Sequence, residues 1–227
     1  MYGPLSFDHT QTLTVNYLFN LSDFATTLHL NNTVGRVALN GWQLSGIISI
    51  SSGAPIASSD GTSPLYSIST GTTTISGAQL NREVTGSEDV PPRYVFTCNP
   101  YSGGGSTEAF FNAACFAPAP KGSVGMDSGW DALRGPGYDN WDTSIFKRFR
   151  FGSEESRYLQ LRLEAFNAFN HTEWATVNLN ATYNTAGQII NLPSALGGSG
   201  GRFGFGTLNT VRPNSQRILQ IAAKFYF

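Results

Sequence analysis

The last eleven residues, Arg217-Ile218-Leu219-Gln220-Ile221-Ala222-Ala223-Lys224-Phe225-Tyr226-Phe227, decide how the rest of the chain is read. Leu219, Ile221, Ala223, Phe225 and Phe227 take every second position, and Gln220, Ala222, Lys224 and Tyr226 fill the gaps. A period of two places one set on each side of an extended strand, whereas a helix would need apolar residues three and four apart.

Four further stretches repeat the pattern. In about 11–21, Leu13, Val15, Tyr17, Phe19 and Leu21 alternate with Thr12, Thr14, Asn16 and Asn20, and Leu18 is the exception. In about 40–52, Trp42, Leu44, Gly46, Ile48 and Ile50 alternate with Gln43, Ser45, Ser49 and Ser51, broken by Ile47. In about 141–151, Trp141, Thr143, Ile145, Phe149 and Phe151 oppose Asp142, Ser144, Arg148 and Arg150, and Phe146 and Lys147 each break the rule once. In about 158–167, Leu159, Leu161, Leu163 and Ala165 oppose Gln160, Arg162 and Glu164. With 217–227, that makes five long strands. Strands of roughly 9–11 residues, tilted near 45°, cross a bilayer, whereas soluble strands peak near about 5–6. The expected fold is therefore all-β: an antiparallel up-and-down transmembrane β-barrel segment, incomplete, with long loops.

The connections support an up-and-down path. The second and third strands are separated by a long stretch, about 53–140, and the fourth and fifth by about 168–216. Between the third and fourth lies only Gly152-Ser153-Glu154-Glu155-Ser156. Barrels of the outer membrane have short periplasmic turns and longer extracellular loops. With the C-terminus placed in the periplasm, both long connections fall outside the cell. Phe19, Trp42, Phe149, Phe151 and Phe227 then gather at the periplasmic strand ends on the apolar side, an aromatic girdle, and Trp141 marks the opposite rim. Either long loop has room for short hairpin strands, Thr72–Ile75 being one, and Gly197-Gly198-Ser199-Gly200-Gly201 reads as mobile.

Composition agrees. Charged residues are 13% of the chain, about half the usual share for soluble domains. A net charge of −1 gives no electrostatic case for nucleic acid. No apolar run is long enough for a membrane helix. Met1-Tyr2-Gly3-Pro4 lacks the basic and apolar regions of a secretory signal, so the chain is expected to be the downstream part of a longer one. Cys98 and Cys115, an even pair in a Gly- and Pro-rich stretch, are expected to bond in an oxidising compartment, with two free thiols as the other reading.

A family resemblance rests on several segments in order. They are Gly41-Trp42-Gln43-Leu44-Ser45-Gly46, then Phe110-Phe111-Asn112-Ala113-Ala114-Cys115-Phe116, then Leu133-Arg134-Gly135-Pro136-Gly137-Tyr138-Asp139-Asn140-Trp141-Asp142 with Ser144-Ile145-Phe146-Lys147. Leu161-Arg162-Leu163-Glu164-Ala165-Phe166-Asn167-Ala168-Phe169-Asn170-His171 and the terminal Gln220–Phe227 complete the set. Together they resemble the C-terminal barrel of Oar-like TonB-dependent receptors. The resemblance implies a bacterial outer-membrane location, uptake of a bulky nutrient, and no cofactor. It also implies partners: the lipid bilayer, the outer-membrane assembly machinery, the remaining barrel and plug domain, TonB indirectly, and an unknown extracellular ligand. The alternation at Leu219, Ile221, Phe225 and Phe227 looks like the signal that the assembly machinery reads. Barrels in that family have about 22 strands, so five strands form only part of the wall.

No enzymatic activity is expected. His9, His29 and His171 are scattered without metal-ligand spacing, and there is no G-x-S-x-G elbow. Asp139 and Asp142 are conceivable as a glycosidase pair, but rim or lumen residues are the better reading. Asp142, Arg148, Arg150, Arg162 and Glu164 are expected to face the lumen as a salt-bridge lattice across strands. Two alternatives remain in view. One is an outer-membrane adhesin or structural surface protein. The other is a secreted glycan-binding β-sandwich, with the Leu13–Leu21 and Leu219–Phe227 faces buried against each other.

Overall fold

The computed structural model describes residues 5, 7–21, 23–30, 32–56, 64–125, 132–151 and 157–227, which divide into two compact units. The first unit takes in 11–52, 138–173 and 212–227, and is built on one antiparallel sheet. Its strands are β1 (Thr12–Leu21), β2 (Trp42–Ser51), β3 (Tyr138–Arg150), β4 (Tyr158–Phe166) and β5 (Ile218–Tyr226), hydrogen-bonded in that order. All five alternating stretches are strands. The largest departure is β3, which begins at Tyr138, three residues before Trp141. The tight connection at 152–156 lies outside the described residues.

The register explains why this sheet holds its faces apart. Phe19 pairs with Leu44, Leu44 with Ile145, Ile145 with Leu163, and Leu163 with Ile221. Directly paired residues project to the same side of a sheet. Five separate apolar rows thus merge into one continuous apolar face. A slip of one residue at any pair would mix the rows, so the pattern itself specifies the pairing.

The pairing is also staggered. β2 meets residues 138–147 of β3, while β4 meets residues 143–150. An offset of this kind is what a tilted barrel wall requires. The sheet is open, with β1 and β5 at its edges. It is not a sandwich: the apolar faces of Leu13–Leu21 and Leu219–Phe227 lie at opposite edges of one sheet, and Phe19 and Ile221 are exposed.

Gly46 has a specific place in this face. A Cβ there would come within 2.4 Å of the Tyr17 hydroxyl, and that hydroxyl shares a 2.9 Å hydrogen bond with Thr143 Oγ1. The Tyr17 ring therefore occupies the space that a side chain at position 46 would need. The β1–β2 connection is not a simple turn. It contains α1 (Phe24–Thr27) and α2 (Thr33–Leu39), the latter capped by Asn32 Oδ1, which accepts from Gly35 N at 2.6 Å.

The second unit takes in 5–10, 53–137 and 174–211 among the described residues. Its strands are short. Tyr66–Ser69 pairs antiparallel with Thr74–Ile75 and parallel with Ala181–Tyr183. Pro55–Ile56 pairs with Leu133–Arg134, Val95–Phe96 with Phe116–Ala117, and Trp174–Val177 with Leu208–Val211. Helix α3 (Gly77–Thr85) stops at Gly86, whose φ of 84° suits a residue without a Cβ. The described residues of 53–137 and 174–211 are thus a folded body, and the Thr72–Ile75 hairpin expectation is met at Thr74–Ile75.

The expectation of a mobile glycine run is corrected. Gly198 N donates to Pro193 O at 3.1 Å and Gly200 N to Leu192 O at 2.9 Å. A Cβ at either glycine would collide with the Asn191–Leu192 backbone, at 2.3 Å from Asn191 O and 2.1 Å from Leu192 O. These glycines allow close packing of the backbone rather than freedom.

Candidate functional site

The features that can act are the two faces of the sheet, the rim at its upper end, and the folded body. One face carries Leu13, Val15, Phe19, Leu21, Leu44, Ile48, Leu159, Leu161, Leu163, Leu219, Ile221 and Phe225 in register. Ile221 is 81% exposed and Leu219 61%. A continuous apolar face this open would be costly in water, at about 25 cal/mol for each Å². Acyl chains remove that cost.

Asp142, Arg148, Arg150, Arg162 and Glu164 all fall on the opposite face, by the same register. The expected cross-strand lattice is corrected. Among the described residues, the ion pair on this face joins Arg162 to Glu164 within β4. Ser144 Oγ also donates to Glu164 Oε1 at 3.2 Å. Arg162 lies 4.9 Å from the Phe146 ring centroid and Arg148 5.5 Å from that of Tyr158. Asp142 Oδ1 accepts from Asn167 N at 3.0 Å. Cation–ring stacking thus engages Arg148 and Arg162 where cross-strand ion pairs were anticipated. It also explains why Phe146 breaks the alternation: it is the platform for Arg162.

Lys147 breaks the alternation from the other side, and it too has a partner. It sits on the apolar face but is 4% exposed. Its Nζ donates to Ala38 O at 3.1 Å and to Asn40 O. These carbonyls belong to the C-terminal end of α2, where a cation is favoured. Trp42 Nε1 donates to Ala38 O at 2.8 Å. The pair Trp42 and Lys147 therefore fastens α2 against the apolar face. This fastening was not read from sequence. Its only trace was a lysine at an apolar position.

The aromatic residues distribute as follows. Phe19, Trp42, Phe149 and Phe151 share the apolar side, following the staggered lower ends of the strands. Phe225 lies 6.1 Å from Phe151 and 6.2 Å from Phe227, ring to ring. Trp141 stands toward the other end, 5.3 Å from Phe169.

That rim is ordered by one asparagine. Asn167, 4% exposed, donates from Nδ2 to His171 O at 2.7 Å and to Ser215 O at 2.6 Å, and its Oδ1 accepts from His171 N at 3.0 Å. Its φ of 47° is a conformation that asparagine tolerates better than most residues. So Asn167 ties the segment after β4 to the segment before β5. Beside it, His171 Nδ1 lies 3.2 Å from Asp139 Oδ1. Glu173 is 3% exposed, and its Oε2 accepts from Asp139 N at 3.3 Å. Burial holds the Glu173 carboxyl above its ordinary range, and the nearby Asp139 carboxylate adds to this. Asp139 and Asp142 project to opposite faces, an odd number of residues apart, so they cannot flank one glycosidic bond. Among the described residues, no cluster of histidines, cysteines and carboxylates could hold a metal.

The body has its own core. Tyr66, Tyr94, Phe111, Phe116, Tyr183 and Phe205 are buried together. Tyr94 meets Phe116 edge-on at 5.3 Å, and its hydroxyl donates to Leu65 O at 2.9 Å and to Leu179 O. Burial pushes the Tyr66 phenol up to about 12, so it stays neutral. Cys98 and Cys115 are bonded, with Cα atoms 4.8 Å apart. The Phe110–Phe116 segment supplies the buried centre. Arg134 fixes the Leu133–Gly137 segment through Asp8 Oδ2 at 2.6 Å and Gly53 O at 3.2 Å.

A staggered antiparallel sheet with one lipid-compatible face and one polar face defines the wall of a membrane β-barrel. The outer membrane beta barrel domain family matches residues 1–220, and the chain belongs to it. The protein is therefore a component of the bacterial outer membrane, and the bilayer is its environment. No curated protein and no solved structure matches the chain.

Proposed function

We propose that the chain is a wall segment of an Oar-like, TonB-dependent transporter that takes up a bulky nutrient such as a carbohydrate or siderophore. The observation that carries this reading is on the polar face. Leu18 and Ile47 stand there 59% and 48% exposed, on the neighbouring strands β1 and β2. A water-filled lumen gives them no partner, whereas a plug domain packed inside would cover them. The remaining polar residues on this face suit contact with a plug or a passing solute. Further strands of a longer chain would close the sheet, since open edges in lipid leave backbone groups unsatisfied.

In this reading the ends of β3 and β5 near Phe151 and Phe227 are periplasmic. The body of 53–137 and 174–211 is extracellular and selects the ligand. Leu219, Ile221, Phe225 and Phe227 serve the assembly machinery. Phe19, Trp42, Phe149 and Phe151 form the lower aromatic girdle, and Trp141 the upper one. An adhesin with a barrel anchor is the second reading, favoured by a body that owns a complete core.

A photo-crosslinker placed at Ile47 of the full-length protein in living cells tests the choice. Crosslinks to an N-terminal plug of the same polypeptide are expected. An adhesin without a plug gives none. The orientation has its own test: cysteines introduced at 64–90 should react with an impermeant reagent on intact cells, and those at 152–156 only after permeabilisation. The reverse pattern overturns it.

A further inference from the structure

The segment joining β1 to β2 does more than reverse the chain. Helix α2 folds back over the apolar face, where Trp42 and Lys147 hold its last carbonyls. Between the helix and the sheet lies a cavity of 470 Å³, within the range of about 300–1,000 Å³ found for small-molecule sites. Its walls are Thr33, Val34, Val37 and Ala38 from the helix, and Trp42, Lys147 and Phe149 from the sheet.

Three observations restrict the occupant. The walls are nearly all carbon, so a headgroup would lose its hydrogen bonds there. The one charge at the wall, the Lys147 ammonium, is buried, donates to the Ala38 and Asn40 carbonyls, and lies 5.0 and 5.3 Å from the Trp42 and Phe149 ring centroids, so little of it faces an incoming anion. The cavity opens onto the same apolar face that meets lipid, as Trp42 and Phe149 belong to both. Around it, Phe24, Leu28, Val34 and Val37 are exposed on α1, α2 and the turn between them. A short helix packed on the lipid-facing side of the sheet, with exposed valines and the basic Arg36, has the composition of an interfacial segment.

We propose that this cavity seats one acyl chain of a bilayer phospholipid, with α2 as an interfacial helix clamped over it. The site does not depend on what the barrel transports. Hydrocarbon gains nothing hydrophobic by moving from bilayer to cavity, because both are apolar. The gain is dispersion: a chain seated in this open-sided cavity touches the helix and the sheet at once, and so meets more wall atoms than a chain lying on the open face. The site should thus hold a chain longer than the open face does, rather than extract lipid from water.

The test uses the full-length protein reconstituted in phosphatidylethanolamine vesicles that carry a diazirine within the acyl chain. After irradiation, adducts should concentrate on peptides containing Val34–Trp42 and Phe149. The substitution Val37→Trp, which fills the cavity, should abolish the α2 adducts while labelling at β5 persists; Val34→Trp serves if the first variant does not assemble. Leu13→Trp, on the open face away from the cavity, should leave α2 labelling unchanged. Uniform labelling of the apolar face, indifferent to Val37→Trp, overturns the proposal. So does preferential labelling of α2 by a headgroup diazirine, or crosslinking of α2 to a second copy of the chain.

Discussion

The sheet and the body are made from one chain, yet they solve opposite solvent problems. In the body, Tyr94, Tyr183, Phe111 and Phe205 are 0–1% exposed. Among the described residues of the sheet unit, Ala25 on α1 is the one fully buried apolar residue, and the other buried side chains are polar: Lys147, Glu164, Asn167 and Glu173. The body is stabilised by removing rings from water, the sheet by hydrogen-bonded ladders with lipid as solvent. Burial therefore marks mainly aromatic and aliphatic residues in the body, with Asn81 and Thr207 beside them, and mainly polar residues in the sheet. A single rule for inside and outside would misread half of the molecule.

The sharpest way to break this contrast is to damage one unit and watch the other. Phe111→Ala should cost the body about 3–5 kcal/mol, the usual range for an aromatic truncated in a packed core. In outer membranes containing the full-length protein, protease should then cut within 53–137 at lower urea, while the sheet stays inserted. Simultaneous loss of both units would show that they do not fold separately. Ile221→Arg makes the reciprocal attack and should cost the sheet about 2–4 kcal/mol near the bilayer midplane. Its partner Gln220→Arg, on the other face, should cost little. Equal effects, measured by unfolding in bilayers, would mean that the faces have been assigned wrongly.

The smallest effect concerns Glu173. Its carboxyl is held above the ordinary range mainly by burial, so the folded state favours the protonated form. The contribution is fully present below the unfolded carboxyl range and is lost as pH rises through the raised value. Glu173→Gln should remove this slope and leave the rim more stable at neutral than at acid pH relative to the parent. A parallel pH profile in both proteins, followed by hydrogen exchange around 167–173, would exclude the effect.

How far the sequence could be read follows from the same contrast. A strand between lipid and water must alternate along its whole length, and the alternation at Leu159–Ala165 or Leu219–Phe225 is visible without any partner. The body leaves no such trace. Its strands run two to four residues, and its core draws Tyr66, Phe111 and Tyr183 from far-separated segments. Cys98 and Cys115, the Thr72–Ile75 stretch, the Phe110–Phe116 run and the Leu133–Gly137 run pointed to order there. At the face itself, Phe146 and Lys147 looked like errors of pattern. Each makes sense only when a partner from elsewhere, Arg162 or the end of α2, is in place.

The parallel pairing of Ala181–Tyr183 with Tyr66–Ile68 carries a consequence for biogenesis. The core around Tyr66 and Tyr94 lacks the edge that Ala181–Tyr183 provides until the chain beyond β4 has been made. The bond between Cys98 and Cys115 lies wholly within the early arrival. It can close during that delay, so the half-built body is held together by chemistry before the late strand completes it by packing.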